Sequence, residues 1–283
     1  MTNGRIIGVS NTPTLEQASG VWDIDDVLIA KNTNTWPRAV PSVVLNAAVW
    51  FDAADLTTIT EASGAVFQWN NKGSLGNVSQ GTAAVQPTTG ATTVNGLNVI
   101  DFAGDYLTSV DASSVYKFMN DGTTWLMAGV FKHAGATKGF FGNSRGTTAA
   151  TGVDYRSFST GTQLVINVMD SSGSTTTTPV RDVISITENT FRIDSLICDP
   201  DNGTAADRLS WFINDGADAA TQTNTGTVDT GNPTYVLQIG ALGDNNGPLD
   251  GSIAELVIVS GADATEGNRT IIRDYLNKKW GIY

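Results

Sequence analysis

Apolar and polar positions alternate with a period of two along most of the chain and change to a helical period once, near the C-terminus. The alternating runs predict strands at Val43–Phe51, Val66–Asn70, Leu97–Phe102, Trp125–His133, Gly139–Asn143 and Asp154–Ser159. Further ones follow at Gln163–Met169, Val180–Ile186, Phe191–Cys198, Leu209–Asn214, Tyr235–Ala241 and Ile253–Val259. Asn95-Gly96, Asp121-Gly122, Asp215-Gly216 and Asn246-Gly247 supply the positive φ angles that tight turns between them require. About a dozen short strands with such turns predict an all-β, antiparallel sandwich. Two stretches, Ser171–Thr178 and Ala217–Gly231, are rich in small polar residues and predict surface loops.

The last strand places Ile253, Glu255 and Val257 on one face and Ala254, Leu256 and Ile258 on the other, with little polar content on either. A helix follows. Asp263 with Glu266 three residues on has the spacing of a capping box. Ile271, Ile272, Tyr275, Leu276 and Trp280 form an apolar stripe, and Gly281 suits the left-handed residue that ends a helix. A single amphipathic helix in a chain of strands needs a sheet to lie on.

The first 42 residues read differently. They carry Trp22, Ile24, Val27 and Trp36, but too few residues to bury them within the segment itself, so the segment must pack elsewhere. The chain's own body and a neighbouring molecule are both open to it. The N-terminus lacks the charged start and apolar core of a signal peptide, and no apolar run approaches a membrane span.

Net charge is −12, from 23 Asp and five Glu against 16 Lys and Arg, which sets the chain against nucleic acid. Cys198 is the single cysteine, so no intramolecular disulfide forms; its apolar neighbours predict a buried thiol.

Two resemblances sharpen this reading. Gly251-Ser252-Ile253-Ala254-Glu255-Leu256-Val257-Ile258, followed by Tyr275-Leu276-Asn277-Lys278-Lys279-Trp280-Gly281, resembles the end of concanavalin A-like (laminin G-like) lectin/glucanase domains. Val49-Trp50-Phe51-Asp52, Val66-Phe67-Gln68-Trp69 and Val99-Ile100-Asp101-Phe102 match an earlier block of the same family. The resemblance implies a jelly-roll sandwich over residues 43–283 with Trp50 and Trp69 in its core. The segment before it, with Ala18-Ser19-Gly20-Val21-Trp22 and Trp36-Pro37, resembles an N-terminal segment of bacteriophage structural proteins. It implies an arm, residues 1–42, that attaches the body to a particle.

Candidate chemistry is sparse. No glutamate sits in the E-x-D-x-x-E pattern of the family's glucanases, and a two-carboxylate cleavage needs acids about 5–10 Å apart. His133, the only histidine, reads as a solvated strand-end residue, and no G-x-S-x-G elbow accompanies it. Asp199 with Asp201, and Asp244 with Asp250, cluster oxygen ligands in turns that suit calcium, although Asp-Asn-Gly is equally an ordinary hairpin turn. Tyr106, Tyr116 and Tyr155 are candidates for exposed rings at a sugar site. The chain is therefore expected to be a non-enzymatic virion protein made in the host cytoplasm: a tail fibre or capsid decoration. Its arm, through Trp22, Ile24, Val27 and Trp36, would meet other virion proteins. A homo-oligomer, with a trimer favoured, and surface glycans complete the expected partners. The rival is a glycan-degrading hydrolase on the same scaffold.

Overall fold

The computed structural model describes residues 40–283 apart from 146–148, 171 and 173–177. Trp22, Ile24, Val27 and Trp36 lie outside them. Pro41–Tyr283 form one compact unit. It opens with a single helical turn, α1 (Ser42–Leu45), where a strand was expected. The strands are β1 (Val49–Asp52), β2 (Ile59–Ala62), β3 (Ala65–Trp69), β4 (Val78–Ser79), β5 (Thr88–Val94), β6 (Leu97–Asp105), β7 (Leu107–Ser109) and β8 (Trp125–His133). They continue as β9 (Gly139–Gly142), β10 (Gly152–Phe158), β11 (Gln163–Met169), β12 (Val180–Ser185), β13 (Arg192–Cys198), β14 (Leu209–Ile213), β15 (Gln238–Ile239) and β16 (Leu249–Ser260). Helix α2 (Glu266–Trp280) closes the chain.

These strands form one large sheet whose described pairings are all antiparallel, running from β12 at one end to β14 at the other. The sheet curls back on itself. Tyr155 of β10 stacks edge-on against Trp211 of β14, with ring centroids 5.8 Å apart, and Phe131, Phe140 and Phe141 pack around the same tyrosine. Both ends of the strand order thus share one core. The expected all-β architecture with one C-terminal helix is present, as a nearly barrel-shaped sheet whose end strands β12 and β14 do not pair with each other.

The hairpin turns follow their residues. Asn95 and Gly96 both take positive φ, 52° and 75°, between β5 and β6. Ser63 and Gly64 do the same between β2 and β3. Ala217–Gly231 has no regular structure, but it lies along the free edge of β12: Gln222 Oε1 accepts from Arg181 N at 3.1 Å, and the Thr221 backbone N–H donates to Asp182 Oδ2 at 2.5 Å. Such coverage removes a row of unpaired backbone groups.

The last strand departs from simple alternation. The pairing of β16 with β8 shifts register between Ile253 and Glu255, so one residue is inserted. Ile253 consequently joins Leu256 and Ile258 in the core, while Glu255 is turned to the side on which α2 lies. Gly251 stands where a side chain would collide with the Lys132 carbonyl oxygen, which accounts for glycine at the head of this motif.

Helix α2 begins later than the capping box predicts. Thr265 is its N-cap, accepting from Asn268 N at 3.2 Å, while Glu266 lies inside the first turn and pairs with Arg269. Gly281 ends it at φ 62°. Its inward stripe is Arg269, Ile272, Tyr275, Leu276 and Trp280; Ile271 is 48% exposed. Arg269 replaces it because its guanidinium lies 3.5 Å from the Phe212 ring centre and donates to Ser195 Oγ at 3.0 Å.

Glu255 is the polar centre of this contact. It is fully buried, yet each oxygen accepts two hydrogen bonds: Oε1 from Trp50 Nε1 at 2.8 Å and Tyr275 OH at 2.9 Å, Oε2 from Lys279 Nζ and Trp280 Nε1, both at 2.8 Å. Lys279 Nζ also lies 2.6 Å from Asp52 Oδ1. Lys72 extends the chain of charges, 3.6 Å from Asp52 and 2.6 Å from Asp55. Burial and the charge of Asp52 push the Glu255 carboxyl above its usual range. Burial acts to lower Lys279, but Glu255 and Asp52 outweigh it and the amine is held protonated.

A second polar network crosses the core. Asp194 Oδ2 accepts from Tyr155 OH at 2.6 Å and Oδ1 from Arg192 Nε at 2.9 Å. Arg192 Nη1 is 3.1 Å from His133 Nδ1, and since arginine only donates, Nδ1 is the acceptor. His133 Nε2 therefore carries the hydrogen and donates to Gly161 O at 2.9 Å. The histidine is fully buried, not solvated as its place at a strand end suggested. Burial, then the Arg192 charge, push its pKa below the usual 6.5, against smaller opposing effects of Gly161 O and Glu188.

Two outcomes follow from these networks. Glu255→Ala leaves four donors without their acceptor and should cost about 3–5 kcal/mol in denaturant unfolding followed by tryptophan fluorescence. For His133, the unfolded chain takes a proton near pH 6.5 while the folded one resists it, so its contribution is fully present above that pH and is lost as pH falls below it. The stability difference between wild type and His133→Gln should therefore shrink from pH 7.5 to pH 5, in unfolding curves recorded across about that range. A difference independent of pH would mean that His133 does not titrate differently on folding.

Candidate functional site

Strands β10, β11 and β12 turn Val153, Tyr155, Leu164, Ile166, Val168, Val180 and Ile184 into the core. By alternation the residues between them face the opposite way. That places Asp154, Arg156 and Phe158 of β10, Asn167 of β11 and Arg181 of β12 on one outer face, with Asp154 opposite Asn167 and Asn167 opposite Arg181 in register.

The side chains form a ladder across the three strands. Arg181 Nη1 donates to Asn167 Oδ1 at 2.8 Å, and Asn167 Nδ2 lies 2.9 Å from both oxygens of Asp154. Arg156 Nε is 3.2 Å from Asp154 Oδ1, an ion pair whose geometry leaves that buried Nε without a hydrogen bond. Both guanidinium groups flank the Phe158 ring, at 5.8 Å for Arg156 and 5.2 Å for Arg181. Asp154 and Asn167 are fully buried and Arg156 nearly so, whereas Arg181 and Phe158 are partly exposed. Burial raises the Asp154 pKa, opposed by Arg156, Asn167 and Arg181.

This arrangement has two cations against one carboxylate in a chain of net charge −12, beside a partly open aromatic ring. Fixed planar donors next to such a ring can bond vicinal hydroxyls while C–H groups lie on the ring face. Asp154 is the one carboxylate of the ladder, so it does not by itself make the pair that two-carboxylate glycoside cleavage uses.

The residues singled out from sequence fall elsewhere. Trp50 and Trp69 are buried, as expected. Tyr116 and Tyr155, candidates for exposed rings, are buried too: Tyr116 OH is 2.8 Å from Ser109 Oγ, and Tyr155 serves Asp194. Tyr106 is half-buried. Cys198 is buried, and burial pushes its thiol pKa well up. Asp199 Oδ2 accepts from Asn202 Nδ2 at 3.1 Å, Asp201 lies against Gly122, and Asp244 pairs with Arg145 at 3.3 Å. Asp250 is exposed on β16. Among the described residues no three His, Cys, Asp or Glu side chains gather as metal ligands. The outer-face ladder was missed because Asp154, Arg156, Asn167 and Arg181 are separate polar positions in three strands and share no motif.

No family model and no curated protein matches the chain. Solved structures do. Domain 4 of AbnA, an extracellular GH43 arabinanase from Geobacillus stearothermophilus solved with arabinotriose, superposes with a TM-score of 0.50 at 14% identity, over 81% of this chain and 98% of that one. A GH54 α-L-arabinofuranosidase follows with a TM-score of 0.48 at 13% identity, over 90% of this chain and 65% of that one. The botulinum neurotoxin serotype D binding domain has a TM-score of 0.47 at 8% identity, over 83% and 52%. At such identities the likeness is one of fold. The likeness to the arabinanase domain nevertheless corrects the expectation of a non-enzymatic chain: a domain of a glycoside hydrolase shares this fold, so the architecture gives no ground for setting hydrolysis aside.

Proposed function

We propose that the chain is a glycan-binding protein built on a concanavalin A-like jelly roll, with the partly exposed Arg181 and Phe158 as its sugar-contacting groups and the buried Asp154, Arg156 and Asn167 holding them in place. The observation that carries this reading is the pairing of pre-positioned planar donors with a partly exposed ring on a rigid three-strand surface. The arabinotriose bound by the structurally similar arabinanase domain supports a sugar as the ligand class. The arm's resemblance to phage structural proteins supports display of this body on a virion, as a tail fibre or capsid decoration, in an oligomer that multiplies weak contacts.

A second reading has the fold's company in its favour: the same scaffold acting as a glycan-degrading hydrolase. One panel separates the two. Oligosaccharides, arabinan fragments included, are offered to the full chain, and both retention and release of reducing ends are recorded. Binding without release, weakened at least about tenfold by Arg181→Ala or Phe158→Ala with the fold intact by circular dichroism, supports recognition. Reducing ends released by the wild type would put hydrolysis in its place. For the arm, deletion of residues 1–42 should leave a folded body that no longer enters particles.

A further inference from the structure

The Glu255 cluster holds a lysine amine against a carboxylate in a site nearly closed to water. Lys279 Nζ is 2.6 Å from Asp52 Oδ1 and 2.8 Å from Glu255 Oε2, and the three side chains are 13%, 6% and 0% exposed. Asp52 and Glu255 are register partners on β1 and β16, so their spacing is set by the sheet. The last turn of α2 delivers Lys279 between them, beside the Trp280 and Tyr275 rings at 5.2 and 5.7 Å. Both oxygens of the Asp52 carboxyl are polarised. Ala54 N–H donates at 3.1 Å to Oδ1, the oxygen Lys279 faces, and the Lys72 ammonium stands 3.6 Å from Oδ2.

We propose that Lys279 and Asp52 condense to an intramolecular isopeptide bond, with Glu255 as the proton carrier. The ammonium first passes one proton through Glu255 Oε2 to the Asp52 carboxylate, so that a neutral amine faces a neutral acid. The Nζ lone pair then attacks Asp52 Cγ and the N–C bond forms. Negative charge that develops on the carboxyl oxygens is met by the Ala54 N–H and Lys72. Glu255 takes a proton from the new N–H₂⁺ centre and gives it to the departing oxygen, the C–O bond breaks, and one water leaves. Atoms and charges balance without oxidant, reductant or nucleotide.

Two physical features favour the product. The charged pair is the resting form, but it keeps two ions out of water at a desolvation cost, and the amide removes both. Glu255 keeps its four donors, because the amide N–H takes the place of the ammonium beside Trp50, Tyr275 and Trp280. A small neutral fraction suffices, since a site from which water is excluded does not readily reverse the condensation. The link would join the first strand to the last helix and so bracket the described body.

The test is the intact mass of the full wild-type chain under denaturing conditions, followed by peptide mapping. A chain lighter than its sequence by one water, with a branched peptide joining the segment around Asp52 to that around Lys279, is the expected result. A wild-type chain at its full sequence mass overturns the proposal. So does a lost water that maps to an Asp-Gly site such as Asp121-Gly122 in place of the branch. Lys279→Arg should restore the full mass. Glu255→Gln should do the same while keeping its circular dichroism, and a Glu255→Gln chain that still cross-links overturns the role given to Glu255. Should that variant fail to fold, the wild-type map decides alone.

Discussion

A carboxylate placed where water cannot reach it must be given its full set of donors, and Glu255 imposes that demand on this protein. Its four partners come from two separate parts of the chain, Trp50 on β1 and three residues on the last two turns of α2. The helix is therefore held in rotation as well as in place. An apolar stripe alone tolerates sliding, whereas an indole N–H, a phenol and an ammonium converging on two oxygens do not. Burial of Ile272, Leu276 and Trp280 adds about 1.5–3 kcal/mol each, and the carboxylate decides where that burial occurs.

A comparable device closes the sheet. Tyr155 and Asp194 belong to strands near opposite ends of the strand order, and their 2.6 Å hydrogen bond crosses the core. Arg192 gives that buried acid its second donor, and His133 in turn accepts from Arg192, which dictates the histidine tautomer. Apolar packing around Tyr155 would permit several arrangements of a curled sheet. A polar chain with fixed donors and acceptors permits few. The cost is that ionisable groups sit inside the core, so stability depends on their protonation.

The face of β10–β12 turned away from the core keeps Asp154, Arg156 and Asn167 buried and leaves Arg181 and Phe158 partly exposed. Its ladder is rigid because each side chain is held by a neighbour on the next strand, and preformed donors lose little freedom on binding. Fold likeness at 14% identity or below cannot choose between recognition and cleavage, because one scaffold hosts many chemistries. What the face does depends on its own side chains.

Much of the architecture was legible in sequence because strands, hairpin turns and the amphipathic helix are local patterns. Trp125–His133 and Gln163–Met169 coincide with β8 and β11, and Asn95-Gly96 makes its hairpin. Short strands such as β4 and β7 escaped, since two or three residues carry no period. The bulge that sends Ile253 inward escaped too, as did the exchange of Ile271 for Arg269, because each answers to a partner strand. Composition and periodicity thus determined an all-β chain with one closing helix. Only the tertiary structure decided that His133 is buried, that Glu255 gathers four donors, and that Asp154, Asn167 and Arg181 stand in line. Those depend on register between distant strands, which local pattern does not encode.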